Sequence, residues 1–244
     1  MSIDIPTPAG EVAKRPLHFF WLTDYSGSMS GKKIATLNQA IREALPEVRK
    51  ALDNHPQIEI KMRAIKFANN ASWHVGPEPV SLEEFVWPEL EVDGITATAQ
   101  AINLLAEELN IEKMPRRGLP PVCLLVSDGF CTDSEREYID AITKLDNQPW
   151  GKKAVRLAIA IGDESDYDEN QLLKFVSHQE IGVLKADNPA TLIDYIKWAS
   201  VTATVGASQG KSKGGAAMDS VGSNVILSPP PVPQPTLVDS NDVF

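Results

Sequence analysis

The chain has 244 residues, of which 43% are hydrophobic, and a formal net charge of −10. That is enough apolar material for one domain of ordinary size plus a tail, while the negative charge argues against nucleic acid or an anionic membrane as the main partner, because both repel it. The two cysteines, Cys123 and Cys131, are spaced for neither a redox CxxC pair nor a zinc knuckle and suit a reducing compartment.

The opening residues, MSIDIPTPAGEVAKRP, lack the apolar core of a signal peptide, and no apolar run reaches the roughly 18 residues that a bilayer span needs. The expected location is the cytoplasm, with residues 1–14 as an N-terminal extension. From residue 15 to about 200, short apolar runs alternate with amphipathic ones, as in β-α-β units around a mostly parallel sheet.

The first strand is expected at 17–23, apolar on nearly every residue. The segment 31–52 then puts Ile34, Leu37, Ile41, Leu45, Val48 and Leu52 on one helical stripe, with Pro46 expected to kink it. Strands follow at 58–67, where charges interleave, and at 72–75. A helix over 97–110 carries Ile102, Leu105, Ala106 and Leu109 at helical spacing. Strands at 122–127 and 155–161 are as apolar as the first, which predicts that these three are central. Between them, Thr132 and Glu135 can form a capping box for a helix holding Ile139, Ile142 and Leu145. A short helix over 168–178, a strand over 181–185, and a last helix capped by Asn188 and opened by Pro189 complete the pattern. The fold class is therefore α/β: a single Rossmann-like, doubly wound domain over 15–205. Residues 206–244, rich first in Gly and Ser and then in Pro, read as a disordered tail.

Such a sheet binds ligands at the carboxyl ends of its strands. There the first strand ends in Asp24-Tyr25-Ser26-Gly27-Ser28, a carboxylate and two hydroxyls at alternating positions. Hard oxygens of this kind suit Mg²⁺ or Mn²⁺, but three would hold the ion poorly, so neighbouring strand ends should add more. Thr96, in DGITATAQAI, and Asp128, in LLVSDG, stand where such donors are needed.

Taken together, D-x-S-x-S at 24–28, Thr96 and Asp128 resemble the metal-ion-dependent adhesion site (MIDAS) of von Willebrand factor A domains, over about residues 15–200. Asp133 in SDGFCTD and the segment IKWASVTATV make the chain most similar to bacterial tellurite-resistance proteins of the TerY type. Ile95 departs from the pattern, which usually has a second glycine there. The resemblance implies a metal site in which Ser26 and Ser28 bind directly, Asp24 and Asp128 act mainly through water, and Thr96 joins in the engaged state. It further implies a non-enzymatic module, monomeric on its own. Its cation, Mg²⁺ or Mn²⁺, would take an Asp or Glu from a protein partner, kinase and phosphatase systems among them.

Competing readings are weaker. A strand-to-helix turn capped by Ser or Asp accounts for 24–28 alone but not for Thr96 and Asp128. A phosphatase of the haloacid dehalogenase type needs a second acid where Ser26 stands. A metal-dependent hydrolase lacks a base, and a metal-free scaffold with a vestigial site keeps the fold. The histidines, His18, His55, His74 and His178, have no ligand spacing. GASQGKS is one residue short of a P-loop, and the acid run 163–170 lacks the glycine and final Glu of a calcium loop. Cys131 is expected to fill a turn, and PPPVP to act as a spacer or docking segment.

Overall fold

The computed structural model describes residues 14–53, 55–128, 130–209 and 225–231. In chain order the elements are β1 (Arg15–Asp24), α1 (Lys32–Leu52), β2 (Ile58–Phe67), β3 (Ala71–Ser81), α2 (Thr98–Glu108), β4 (Val122–Ser127), α3 (Glu135–Asn147), β5 (Val155–Ile161), α4 (Glu169–Phe175), β6 (Val183–Ala186) and α5 (Pro189–Gln209). Among the described residues the strands form one six-stranded sheet in the order β3-β2-β1-β4-β5-β6. Every neighbouring pair is parallel except β2 with β3. β1 and β4 lie at the centre with β5 beside them, as their continuous apolar runs predict.

Alternation along β1 shows how both faces are covered. Leu17, Phe19 and Trp21 pack with the stripes of α1 and α5, while Phe20 and Leu22 pack with α2, α3 and α4. Each cluster removes large side chains from water at about 25 cal/mol per Å² of apolar area. The α1 stripe lies in the first cluster as expected, and α1 runs unbroken through Pro46.

Several boundaries differ from expectation for identifiable reasons. β3 continues past Gly76 and Pro77 to Ser81, because an edge strand tolerates prolines that a central strand would not. The capping box of α3 is Ser134 with Glu137, not Thr132 with Glu135. Thr132 is committed elsewhere: its backbone N–H and its Oγ1 both donate to Thr96 O, at 2.8 and 2.9 Å. The helix accordingly buries Tyr138, Ala141, Ile142 and Leu145, and leaves Ile139 42% exposed. β6 begins two residues late, after Gly182 in a left-handed conformation.

At the carboxyl end, α5 passes the expected boundary at 205 and reaches Gln209. Residues 225–231 return to the domain, where Val225 is buried in the first core cluster and its carbonyl bonds His178 Nε2 at 2.8 Å. The N-terminal extension up to residue 13, the Gly/Ser stretch and the end of the proline segment lie outside the described residues. Among the described residues, no helix is long and apolar enough to cross a membrane.

Candidate metal centre

Parallel pairing places the carboxyl ends of β1, β2, β4 and β5 at one edge of the sheet, and the loops leaving β1, β2 and β4 are hydrogen-bonded with the loop before α2 into a single rim. The loop after β1 is held on two sides. Tyr25 N donates to Phe67 O at 3.1 Å and Gly27 N to Gly94 O at 2.9 Å, while Asp93 N donates to Tyr25 O at 2.8 Å. Asn69 braces the loop before α2 by accepting from Ile95 N at 3.1 Å, and Ala97 N donates to Ala68 O at 2.8 Å. Gly94 is required there: it has φ +65° and lies against the Asn69 amide, which a Cβ would strike. Thr132 ties the loop after β4 to Thr96, and Asp133 accepts from Ala99 N at 2.8 Å, capping α2 from another loop.

On this rim Asp24 is fully buried. Its Oδ1 accepts from Ser26 N at 2.8 Å and its Oδ2 from Ser127 Oγ at 2.6 Å. Burial pushes its carboxyl up to about 6, with the nearby Asp128 adding to the effect and the Ser127 and Ser26 bonds opposing it. Ser26 Oγ lies 3.0 Å from Ser28 Oγ, and Ser28 Oγ donates to Asp128 Oδ1 at 2.8 Å. A continuous line of oxygens therefore runs from β1 to β4 through Ser26, Ser28 and Asp128. Thr96 is buried on the adjoining loop, placed by the two bonds to its carbonyl. The structure thus brings Asp24, Ser26, Ser28 and Asp128 together and sets Thr96 on the loop beside them.

Five side chains have parts here that their sequence context does not assign them. Ser127 and Asn69 hold Asp24 and the Gly94 turn, Thr132 joins two loops, and Lys33 with Asp166 brings charge to the rim. Lys33 Nζ donates to Asp128 Oδ2 at 2.7 Å and lies 3.6 Å from Asp166 Oδ2. A signal for Lys33 did exist. Lys32 and Lys33 open α1, whose first turn holds no acid, and a cation at a helix amino end is unfavourable unless an anion answers it. Asp166 comes from the acid run, where it also accepts from Asp163 N at 3.1 Å and where Asp168 caps α4.

Other candidates belong to packing. Burial raises the Cys131 thiol, which donates to Asp133 Oδ2 at 2.7 Å, and pushes Cys123 up to about 12, so neither is set up as a nucleophile. His18 is buried beside Arg63, His178 between Ser177 and Val225, and His74 bonds Pro88 O.

Among the described residues, no cluster of three or more His, Cys, Asp or Glu side chains could hold a metal. The donors here are two carboxylates and three hydroxyls, a hard-oxygen set that fits Mg²⁺ or Mn²⁺ better than a soft metal. By sequence, the chain matches no protein-family model and no curated protein. Solved structures match in shape. A von Willebrand factor type A protein from Catenulispora acidiphila superimposes with TM-score 0.58 at 15% identity, over 78% of this chain and 43% of that one. The ArnB paralog VWA2 from Sulfolobus acidocaldarius gives 0.56 at 17%, over 76% and 45%. The fold is von Willebrand factor A-like. Proximal thread matrix protein 1 from the mussel byssus, in a structure with a zinc-occupied MIDAS motif, gives 0.52 at 15%, over 78% and 46%. The chain spans less than half the length of each of these solved chains.

Proposed function

We propose that this chain is a non-enzymatic protein-binding module whose divalent cation, Mg²⁺ or Mn²⁺, takes an Asp or Glu side chain from a partner protein. The observation that carries this reading is the unbroken oxygen line from Ser26 through Ser28 to Asp128. Ser26, Ser28 and Asp128, with Asp24 behind them and Thr96 beside them, would hold the ion. With few carboxylates to neutralise it, such an ion keeps the positive charge that attracts a partner's carboxylate. A neighbour of the same fold carries zinc at its MIDAS, which supports a divalent cation at the corresponding strand ends.

This chain's own residues do the positioning. Ser127 and the Ser26 N–H hold both oxygens of Asp24, and Asn69 and Thr132 fix the loop that carries Thr96. The resemblance to TerY-type proteins supports a bacterial cytoplasmic setting in tellurite or stress resistance, with kinase or phosphatase partners.

Lys33 favours a second reading, a metal-free scaffold in which the ammonium itself neutralises Asp128. Titration calorimetry of the full chain with Mg²⁺ and Mn²⁺, alongside a Ser26→Ala/Ser28→Ala variant, separates the two. Saturable binding that the variant loses supports the metal module. Absence of binding to either ion, with partner capture unchanged by EDTA, supports the scaffold.

A further inference from the structure

The rim of the site carries apolar side chains that the core does not use. Among the described residues, seven large hydrophobics are exposed, and three of them stand on the two loops that frame the oxygen line: Val92 at 38%, Ile95 at 56% and Phe130 at 55%. Ile95 immediately precedes Thr96, and Phe130 is two residues beyond Asp128. The loops bearing them are tied together at Thr132 and Thr96, and Asn69 fixes the backbone N–H of Ile95.

Charge alone recruits an acidic partner poorly here. The chain carries a net charge of −10, and Asp93 and Asp166 stand on the same rim, so long-range repulsion works against the carboxylate that the site is built to take. Contact that is indifferent to charge has to supply the remaining affinity. Large side chains held at the mouth of a site by braced loops provide it, since little conformational freedom is lost when they are covered.

Resting on the metal-module reading above, we infer that Ile95 and Phe130 form an apolar rim that selects a partner segment whose acidic residue is flanked by large apolar side chains. The carboxylate goes to the ion, and its neighbours cover Ile95 and Phe130. Specificity then resides in the flanking residues, because any Asp or Glu satisfies the ion.

The experiment uses two capped pentapeptides, Gly-Gly-Glu-Gly-Gly and Gly-Leu-Glu-Leu-Gly, titrated into the ¹⁵N-labelled full chain with Mg²⁺ and followed by amide chemical shifts. The leucine-flanked peptide binds roughly tenfold more tightly, an advantage of about 1.4 kcal/mol. That advantage disappears in an Ile95→Ser/Phe130→Ser variant whose Mg²⁺ affinity is unchanged. Equal binding of the two peptides, or an advantage that survives the double variant, overturns the apolar rim and leaves the metal site standing. Tighter binding of the leucine peptide that EDTA does not weaken overturns the metal module and keeps the rim as a docking surface. If neither peptide binds, both readings fall.

Discussion

Lys33 holds Asp128 by an ion pair of 2.7 Å while the other oxygen of the same carboxylate accepts from Ser28 at 2.8 Å. The ammonium is thereby a tethered rival for the position in which a divalent ion would be most stabilised. Asp166, 3.6 Å away and partly exposed, offers Lys33 a second anchor if it is displaced. Replacing Lys33 with Met should raise the affinity for Mn²⁺ roughly tenfold, worth about 1.4 kcal/mol. In EDTA the same variant should lose about 1–3 kcal/mol of stability, because buried Asp128 loses its charged partner. Calorimetry checks the first effect and urea denaturation the second; unchanged Mn²⁺ affinity would remove Lys33 from the metal equilibrium.

Ser26→Ala/Ser28→Ala removes two donor oxygens and leaves Asp24 its bonds from the Ser26 N–H and from Ser127. Manganese binding should fall below detection, while the urea midpoint in EDTA shifts by an amount worth less than about 1 kcal/mol. Electron paramagnetic resonance of Mn²⁺ reads the binding. A variant that still takes up the ion with near-native affinity would show that these hydroxyls are not ligands.

Near the amino end of β1, on the face that α2 covers, His18 and Arg63 are buried together, and Arg63 Nη2, 3.1 Å away, can only donate to His18 Nδ1. That ring nitrogen must keep its lone pair, so the imidazole is held neutral. Burial first, and the Arg63 charge second, lower its pKa to about 4. The unfolded chain therefore takes up a proton near pH 6.5 that the folded chain refuses until about pH 4. Stability is full above pH 6.5 and should fall by about 3 kcal/mol as the pH drops towards 4. Asp24, raised to about 6, titrates in the opposite sense over part of that window, so the quantity to measure is the difference between the native chain and His18→Gln. The variant keeps an acceptor for Arg63 and cannot protonate. A difference that stays flat from pH 7 to pH 4 would mean that His18 is charged in the fold.

Gly206 on α5 faces the returning segment, and a Cβ there would come within 2.7 Å of Leu227 Cδ2 and 3.1 Å of Val225 Cγ1. Gly206→Val should push this segment off the helix and make the chain more readily cut by a broad-specificity protease between residues 209 and 225. Mass spectrometry of the fragments decides it; a cleavage rate equal to the native one would show that the segment accommodates the side chain.

The strands and the site's oxygens were legible because they are written in contiguous residues: apolar runs for β1, β4 and β5, and short strings around Asp24 and Asp128. What was missed depends on contacts across the chain. Arg63 is one of the charges interleaved in β2, yet it is buried, and the acid that answers it, Glu108 at 2.5 Å, comes from the end of α2. Thr132 carries a good capping signature, and a tertiary bond to Thr96 takes it away. Lys33 gave a faint sign through its place at a helix start, but the acid that answers it arrives 95 residues later. For Val225, nothing in the tail's composition announces that one residue will be buried.

The course of α5 sets the distance between the two ends of the domain. It leaves from the carboxyl end of β6, at the same edge of the sheet as the candidate site, and its 21 residues carry the chain about 30 Å back along the sheet. There Val225 meets His178, in the loop that enters β6 at its amino end, and Gly206 receives Leu227. The oxygen rim and the seat of Val225 and Leu227 therefore lie at opposite ends of α5, so a ligand on the rim does not meet the returning segment there.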